Sequence, residues 1–467
     1  MSNQNELNGF HYKQELKRTL KLFSSFAVAF SFISITTGIF TNYGFVLGTS
    51  GPAGIWTWPI VTIGHLLIAL IFAELAGRIP ISGYSYQWVS RIANRGLGWF
   101  SGWIAFCFLM LVVPTVNYGL APIVGEMFGF GTSKTTLATI VIVTLIIQAL
   151  INIFGVKLAT RINDAAVYTE VIGMIGIIII IGAVVIFGNA DWSMLVNTGD
   201  GLAREGSYLG AFILAALMGS YTIVGFEAAA NLSEETVNAK VNVPKAIILS
   251  VLLSGIIGFI FLIVISIAIP DLAAATNSAN PIPYVLQHYL GKTTANLFLV
   301  LVIISIFACG LIIMASASRL IFAMSRDNVF YGAKVFKKVS EGGSVPTNAI
   351  LLVLGLGIIA VLFADSLTLL VGATAVLPAI LYLITVCAYA RKSKDLPPTD
   401  SFTLGKWRKP VTYLTIIWLV IEIGILTIPS AFHQVAIVAG ILMLVGVILY
   451  FISFRKNMLA GKIGIKE

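Results

Sequence analysis

The sequence predicts an all-α membrane protein with twelve transmembrane helices. Three observations lead there. The chain is 58% hydrophobic and only 10% charged, where an ordinary soluble domain carries about 25% charged residues, and its mean hydropathy is +0.97. Apolar runs long enough to cross a bilayer recur from end to end. Lysine and arginine collect in alternate connections between those runs. No soluble fold hides so much apolar surface, so lipid is the solvent.

A spanning helix needs about 20 mainly apolar residues. Such runs fall at about 22–49, 54–77, 97–125, 134–156, 164–188, 207–232, 246–270, 292–325, 346–364, 366–390, 411–430 and 434–453. No charge occurs between Lys21 and Glu74, so TSGPAG at 49–54 has to turn a helical hairpin. With the N-terminus inside, the inner connections hold Lys13, Lys17, Arg18 and Lys21, then Arg78, Arg91 and Arg95, then Lys157 and Arg161. They continue with Lys240, Lys245, Lys334, Lys337, Lys338, the run from Arg391 to Lys409, and the C-terminal tail. The outer connections keep Lys134, Arg204 and Lys292. By the positive-inside rule both termini are cytoplasmic and the protein sits in the cell membrane. The net charge of +9 is then topogenic, and no nucleic-acid role is expected.

The first 21 residues carry charges and no apolar run, and no small-residue cleavage site follows the first hydrophobic segment, so no cleaved signal peptide is expected. Polar connections near 189–206, 271–291, 326–345 and 391–410 read as loops with at most a short helix, which leaves no room for a soluble domain. Cys107, Cys309 and Cys387 lie in separate apolar runs, and His11, His65, His288 and His433 are equally dispersed. That spacing fits core packing rather than a disulfide framework, a metal centre or a nucleophilic triad. Neither an enzyme nor a cofactor is expected.

Two runs break the rules of a membrane helix in matching fashion. The first contains SITTGIF at 34–40 and the sixth GSYTIVGFE at 219–227, each hydroxyl-bearing and glycine-interrupted about halfway across. Irregular backbone in a membrane usually lines a cavity, and paired interruptions five spans apart point to an inverted-repeat transporter. The chain then divides into a cytoplasmic N-terminal segment 1–21, a first five-helix repeat 22–188, a second 207–390, two added helices 411–453, and a cytoplasmic tail 454–467. Half-helix N-termini attract a carboxylate and half-helix C-termini an ammonium, so such a site suits a zwitterion. Close helix packing is the competing explanation for Gly, Ser and Thr in spans.

Acids inside spans are expensive and usually functional. Glu170, about two turns into the fifth span, must pair, bind a cation or carry a proton. Glu227 beside the second interruption is the other coupling candidate, with a bond between helices as its alternative. Glu74 beside Arg78 reads as structural or gating. Glu422, outside both repeats, reads as a structural acid or an oligomer contact.

Four segments then resemble, in order, the amino acid–polyamine–organocation (APC) superfamily. They are FAELAGRIPISGYSYQWVS (72–90), GFEAAANLSEETVNAKVNVPKAI (225–247), SRLIFAMSRDNVFYGAKVFKKVS (318–340) followed by VPTNAI, and SFTLGKWRKPV (401–411). The last is similar to the branch that carries amino acids, GABA and choline. The resemblance implies a LeuT-like fold of five plus five inverted helices, with helices 1 and 6 broken and two extra C-terminal helices. It implies a substrate-binding set of Ser34, Ile35, Thr36, Thr37, Gly38, Ile39, Tyr221, Thr222, Ile223 and Gly225. In it the amides around Thr37, Gly38 and Ile39 hold a carboxylate. The carbonyls near Ser34 and Ile35, and near Tyr221 and Thr222, take the amine. Tyr221 matches an aromatic gate, and Ser316 and Ser318 form a possible cation site, with helix packing as the alternative.

Departures from the family pattern matter too. Thr36 stands where many relatives have Gly, Tyr84 replaces a Gly, and Glu170 occupies the place of a Lys that substitutes for sodium in sodium-independent relatives. The expected function is secondary active transport of an amino acid or related small amine by alternating access. Proton symport is the first expectation and exchange the second. A non-transporting nutrient sensor on the same scaffold is the rival from another class.

Overall fold

The computed structural model describes residues 10–188, 190–201, 207–278, 280–340, 345–363, 367–392 and 396–465. Arg204, expected in an outer connection, lies outside them, as do residues 393–395 of the basic run. The first run holds two helices, α1 (Leu22–Ile33) and α2 (Ile35–Ser50), followed by α3 (Thr57–Arg78), α4 (Tyr84–Ile92), α5 (Arg95–Met127), α6 (Lys134–Phe154) and α7 (Val156–Phe187). The second half comprises α8 (Tyr208–Thr222), α9 (Ala228–Asn231), α10 (Ala239–Ile267), α11 (Leu272–Asn277), α12 (Pro281–Arg326), α13 (Ala333–Phe336), α14 (Thr347–Phe363) and α15 (Leu367–Lys392). The chain closes with α16 (Arg408–Thr427), α17 (His433–Leu449) and α18 (Arg455–Leu459).

Among the described residues, ten helical stretches are long and apolar enough to cross a membrane. The shorter apolar helices Tyr208–Thr222 and Thr347–Leu362 lie where the sixth and ninth runs are read. Local chemistry sets several starts. Asn94 accepts from Leu97 N at 2.8 Å, Ser133 from Thr136 N at 3.2 Å and Asp271 from Ala274 N at 2.9 Å, each satisfying an amide the helix cannot. TSGPAG turns as its composition suggests, through Gly51 and a 3-10 turn over Pro52–Trp56. The 271–291 connection, read as a loop with at most a short helix, is more helical than that. It carries α11 and the first turns of α12, which continues across a non-helical Gly291, because Pro281 is preset for a helix's first turn.

Burial sorts the helices. The α1–α2 stretch has 78% of its most apolar window buried, and the Ser430–Leu459 stretch only 17%. The first is therefore central and the last peripheral. Around the centre, α8 packs on α2, α10 on α1 and α3, and α12 on α5 and α7. Large apolar side chains such as Phe154, Ile172, Ile179, Phe187, Ile437 and Ile452 point outward, a surface that only lipid solvates well.

The segment before α1 is not a loose tail. Tyr12, Leu16 and Leu20 are buried, and the amides of Thr19 and Leu20 donate to the Glu235 carbonyl at 2.9 and 3.0 Å. The Tyr12 hydroxyl donates to Asp327 at 2.8 Å. Burial first, and then the Asp327 carboxylate, push that hydroxyl up to about 12, so it stays a donor. Gly464 N reaches the Asp327 carbonyl at 2.9 Å. Both ends of the described chain thus meet at one end of the bundle.

Candidate functional site

The first span breaks at Ser34, whose φ of 38° is left-handed. The serine caps α2, accepting from Thr37 N at 3.3 Å and from Thr37 Oγ1 at 2.7 Å, while its carbonyl takes Gly38 N at 3.1 Å. The sixth span ends as a helix at Thr222 and resumes at Ala228, with Gly225 at φ 83° in the unwound stretch between.

The two breaks meet back to back. A Cβ on Gly38 would lie 1.9 Å from Thr222 Oγ1, and one on Gly225 would lie 1.8 Å from the Phe32 ring. Only glycine permits either approach, and at Gly225 the positive φ adds to the requirement. The interruptions are therefore one locus built from both halves of the chain.

Glu170 of α7 enters this locus and is 2% exposed. Its Oε1 accepts from Thr36 N at 3.2 Å, Thr36 Oγ1 at 2.9 Å and Ser34 Oγ at 3.3 Å. A carboxyl from the chain itself thus sits on the N-terminus of α2, the end at which a helix's unpaired amides and dipole favour negative charge. In this conformation the Thr37 and Gly38 amides are engaged by Ser34. The Thr36 hydroxyl, present where many relatives have Gly, acts as a donor to Glu170.

Glu227 follows the second break and is held by the Tyr382 hydroxyl at 2.7 Å, while Gly225 N donates to the same hydroxyl oxygen at 3.2 Å. Tyr221 is buried, and its hydroxyl has no hydrogen-bond partner among the described residues; the same holds for the hydroxyls of Ser31, Thr41 and Ser220. Buried polar groups are normally paired, so these hydroxyls mark the locus as polar inside an apolar bundle. The Phe32 carbonyl accepts from Cys309 Sγ at 3.3 Å.

Other residues named from the sequence are placed elsewhere. The Ser316 carbonyl and Oγ both accept from Asn231 Nδ2 at 2.8 Å. Ser318 Oγ donates to the Ala315 carbonyl at 2.7 Å and accepts from Arg319 Nη1 at 2.9 Å. The Arg319 guanidinium therefore shares Ser318 Oγ, and the hydroxyls of both serines are engaged within the bundle. Glu74 binds Arg78 and Arg408 at 2.8 and 2.9 Å, Tyr389 at 2.8 Å and Leu404 N at 3.0 Å, tying α3 to α15 and to the approach of α16. Glu422 is buried rather than on an oligomer surface; its Oε1 lies 2.7 Å from His65 Nε2.

Sequence reasoning missed Tyr382, Asn231 and His65, each of which fastens an unwound or short segment. It also missed Arg319–Glu235 at 2.7 Å and Arg326–Glu234 at 2.9 Å, which anchor the connection after α9. The run SEETVNAK showed the acids; their partners come from more than 80 residues away.

The profile of a family described as amino acid permease matches residues 20–453. An uncharacterized amino-acid permease of Schizosaccharomyces pombe is 29% identical over 97% of this chain and 86% of its own length. The amino-acid permease BAT1 of Arabidopsis thaliana is 29% identical over 92% of this chain and 89% of its own. The GABA-specific permease of Saccharomyces cerevisiae is 27% identical over 91% and 78%. Proteins so named are transporters, not enzymes.

Proposed function

Because the chain belongs to the amino acid permease family, and is thereby a multi-pass membrane transporter of the amino acid and amine class, we propose that it imports its substrate by alternating access in symport with protons. The LeuT-like arrangement, the division into repeats 22–188 and 207–390, and cytoplasmic termini in the cell membrane belong to the same reading. The observation that carries it is the Glu170 carboxyl on the N-terminus of α2, at the point where the two breaks meet.

Thr36 N, Thr36 Oγ1 and Ser34 Oγ are the donors a substrate carboxylate would want, and Glu170 holds them. A protonated Glu170 is a weaker acceptor than a carboxylate, so proton uptake loosens its grip and frees the donors. Proton and substrate carboxylate then favour each other's binding, and by linkage the effect is reciprocal. That is the thermodynamic basis of symport. The substrate amine takes carbonyls near Ser34, Ile35, Tyr221 and Thr222, with Tyr221 as the gate and Ile39, Ile223 and Gly225 shaping the site. Glu227 is the second coupling acid. The GABA-specific relative supports a substrate with both an amine and a carboxylate. A putative polyamine transporter of Candida albicans, 26% identical over 90% of this chain, supports an amine without one, for which Glu170 would itself be the counter-charge.

A thermal-shift screen of amino acids, GABA, choline and polyamines, with and without sodium and at two pH values, tests this. A ligand that binds the folded state raises its stability by mass action. Stabilisation by an amino acid without sodium, with a pH dependence reduced in Glu170→Gln, is expected. A shift that requires sodium, or choline and polyamines alone, would overturn the carboxylate–proton exchange.

A further inference from the structure

His65 lies on α3, is 1% exposed, and is bonded through both ring nitrogens. Nδ1 meets the carbonyl of Ile223, the first residue of the unwound stretch after α8, and Nε2 lies 2.7 Å from Glu422 Oε1 on α16. A carbonyl oxygen only accepts, so Nδ1 carries hydrogen. The contact of Nε2 with a carboxyl oxygen then needs a proton between them. Either an imidazolium faces a carboxylate or a neutral imidazole accepts from a carboxylic acid. Both forms hold one exchangeable proton and are neutral overall. Without that proton a lone pair faces a buried carboxylate, the hydrogen bond is gone, and the charge is unpaired.

The surroundings make the pair depend on its own proton. Glu422 Oε2 has no hydrogen-bond partner among the described residues. Phe226 and Trp418 stand edge-on to the imidazole, with centroids at 6.4 and 6.5 Å. The titratable groups facing His65 are Glu422 from α16 and Glu227 from the second break, the latter held by Tyr382 of α15. Beside it, α8 packs on α3 with Gly219 against Val61, and α10 with Gly255 and Gly258 against Thr62 and Trp58.

We propose that His65 and Glu422 form a proton-binding site that clasps the unwound segment after α8, through the Ile223 carbonyl, to α3 and α16. With the proton bound, the stretch leading to Gly225 and Glu227 is tied through His65 to both α3 and α16; when the proton leaves, Nδ1 keeps its hydrogen on the Ile223 carbonyl, the Nε2–Glu422 hydrogen bond is lost, and α16 separates from His65. The site is distinct from Glu170, and it gives the eleventh span, outside both repeats, a part in the cycle. Its consequence for transport rests on the symport reading, whereas proton binding itself does not.

The test compares the full-length wild type, Glu422→Gln and His65→Gln in lipid nanodiscs by pH-difference infrared spectroscopy. The range runs from about pH 5 to about pH 8, where an unperturbed imidazole changes charge. The wild type is expected to show a linked imidazole and carboxyl change that both variants lack. In proteoliposomes Glu422→Gln, whose amide donates to a neutral Nε2 without titrating, is expected to slow substrate uptake, because it holds α16 on His65 at every pH. One limb of its pH profile, which a one-proton step makes about tenfold per unit, should flatten to less than about twofold. Should neither variant fold, the Trp418 fluorescence of wild type minus Trp418→Phe is read against pH and must follow the same one-proton step. Spectra unchanged in both variants, a Glu422→Gln profile that overlays the wild type, or a flat Trp418 difference would overturn the proposal. A wild type with the infrared step but no uptake of any substrate would instead overturn the symport reading and leave the proton site standing.

Discussion

Oε1 of Glu170 takes three hydrogen bonds from Ser34 and Thr36, so replacing the acid should change how the site answers to protons more than whether it folds. Glu170→Gln is expected to bind an amino acid with an affinity that varies less with pH than the wild type's, measured by titration calorimetry in detergent. A pH-dependent affinity equal to the wild type's would count against Glu170 as the coupling acid. Gly38 offers a test of packing. A Cβ there would lie 1.9 Å from Thr222 Oγ1, and overpacking of this kind costs about 1–3 kcal/mol. Gly38→Ala should therefore lower the unfolding temperature, and Thr222→Gly in the same chain should return part of the loss. Additive losses would show that the two residues do not press on each other. At this scale the sequence was readable where an unusual residue sat in a span, as with Glu170 and the SITTGIF hydroxyls. It was silent where identity becomes meaningful only through a distant partner. His65 and Glu422 are 357 positions apart, and nothing local to either announces the other.

Between elements, the connection after α9 is held by two buried ion pairs, Arg319–Glu235 and Arg326–Glu234. The paired Glu234 also accepts from Ser82 N at 3.2 Å, so the loop before α4 depends on the same carboxylate. Removing one partner of a buried pair costs about 3–5 kcal/mol because the other charge is left uncompensated. Arg326→Met should lower the unfolding temperature strongly, and Arg326→Met with Glu234→Gln should lower it less. A double variant less stable than the single one would refute the stranded-charge explanation. The helices themselves were legible because apolar length and glycine interruption are local signals. The helical turns before Gly291 and the buried segment around Tyr12, Leu16 and Leu20 were not. The first looked polar enough to be a loop. The second buries residues spaced four apart among charges, and only the surfaces of α12 and of the connection after α9 make that spacing meaningful.

For the whole molecule, Tyr12 and Gly464 both bond Asp327, placing the two ends of the described chain on one side, which in the proposed orientation faces the cytoplasm. A fluorescent protein that matures only in the cytoplasm, fused after Glu467, should fluoresce in intact cells; a dark fusion of full-length protein would invert the orientation. Composition alone was enough to identify a membrane protein, since a chain 58% hydrophobic has no other solvent. The facing of the two breaks was beyond it, because Gly38 and Thr222 meet only once the intervening helices have packed. The central claim is that proton binding drives substrate movement through that meeting point. Its most direct test is uptake of radiolabelled amino acids and GABA into proteoliposomes under an imposed inward proton gradient. Accumulation above the outside concentration, abolished by a protonophore and absent in Glu170→Gln, is the expected result. Binding without accumulation, or accumulation indifferent to the proton gradient, would contradict it.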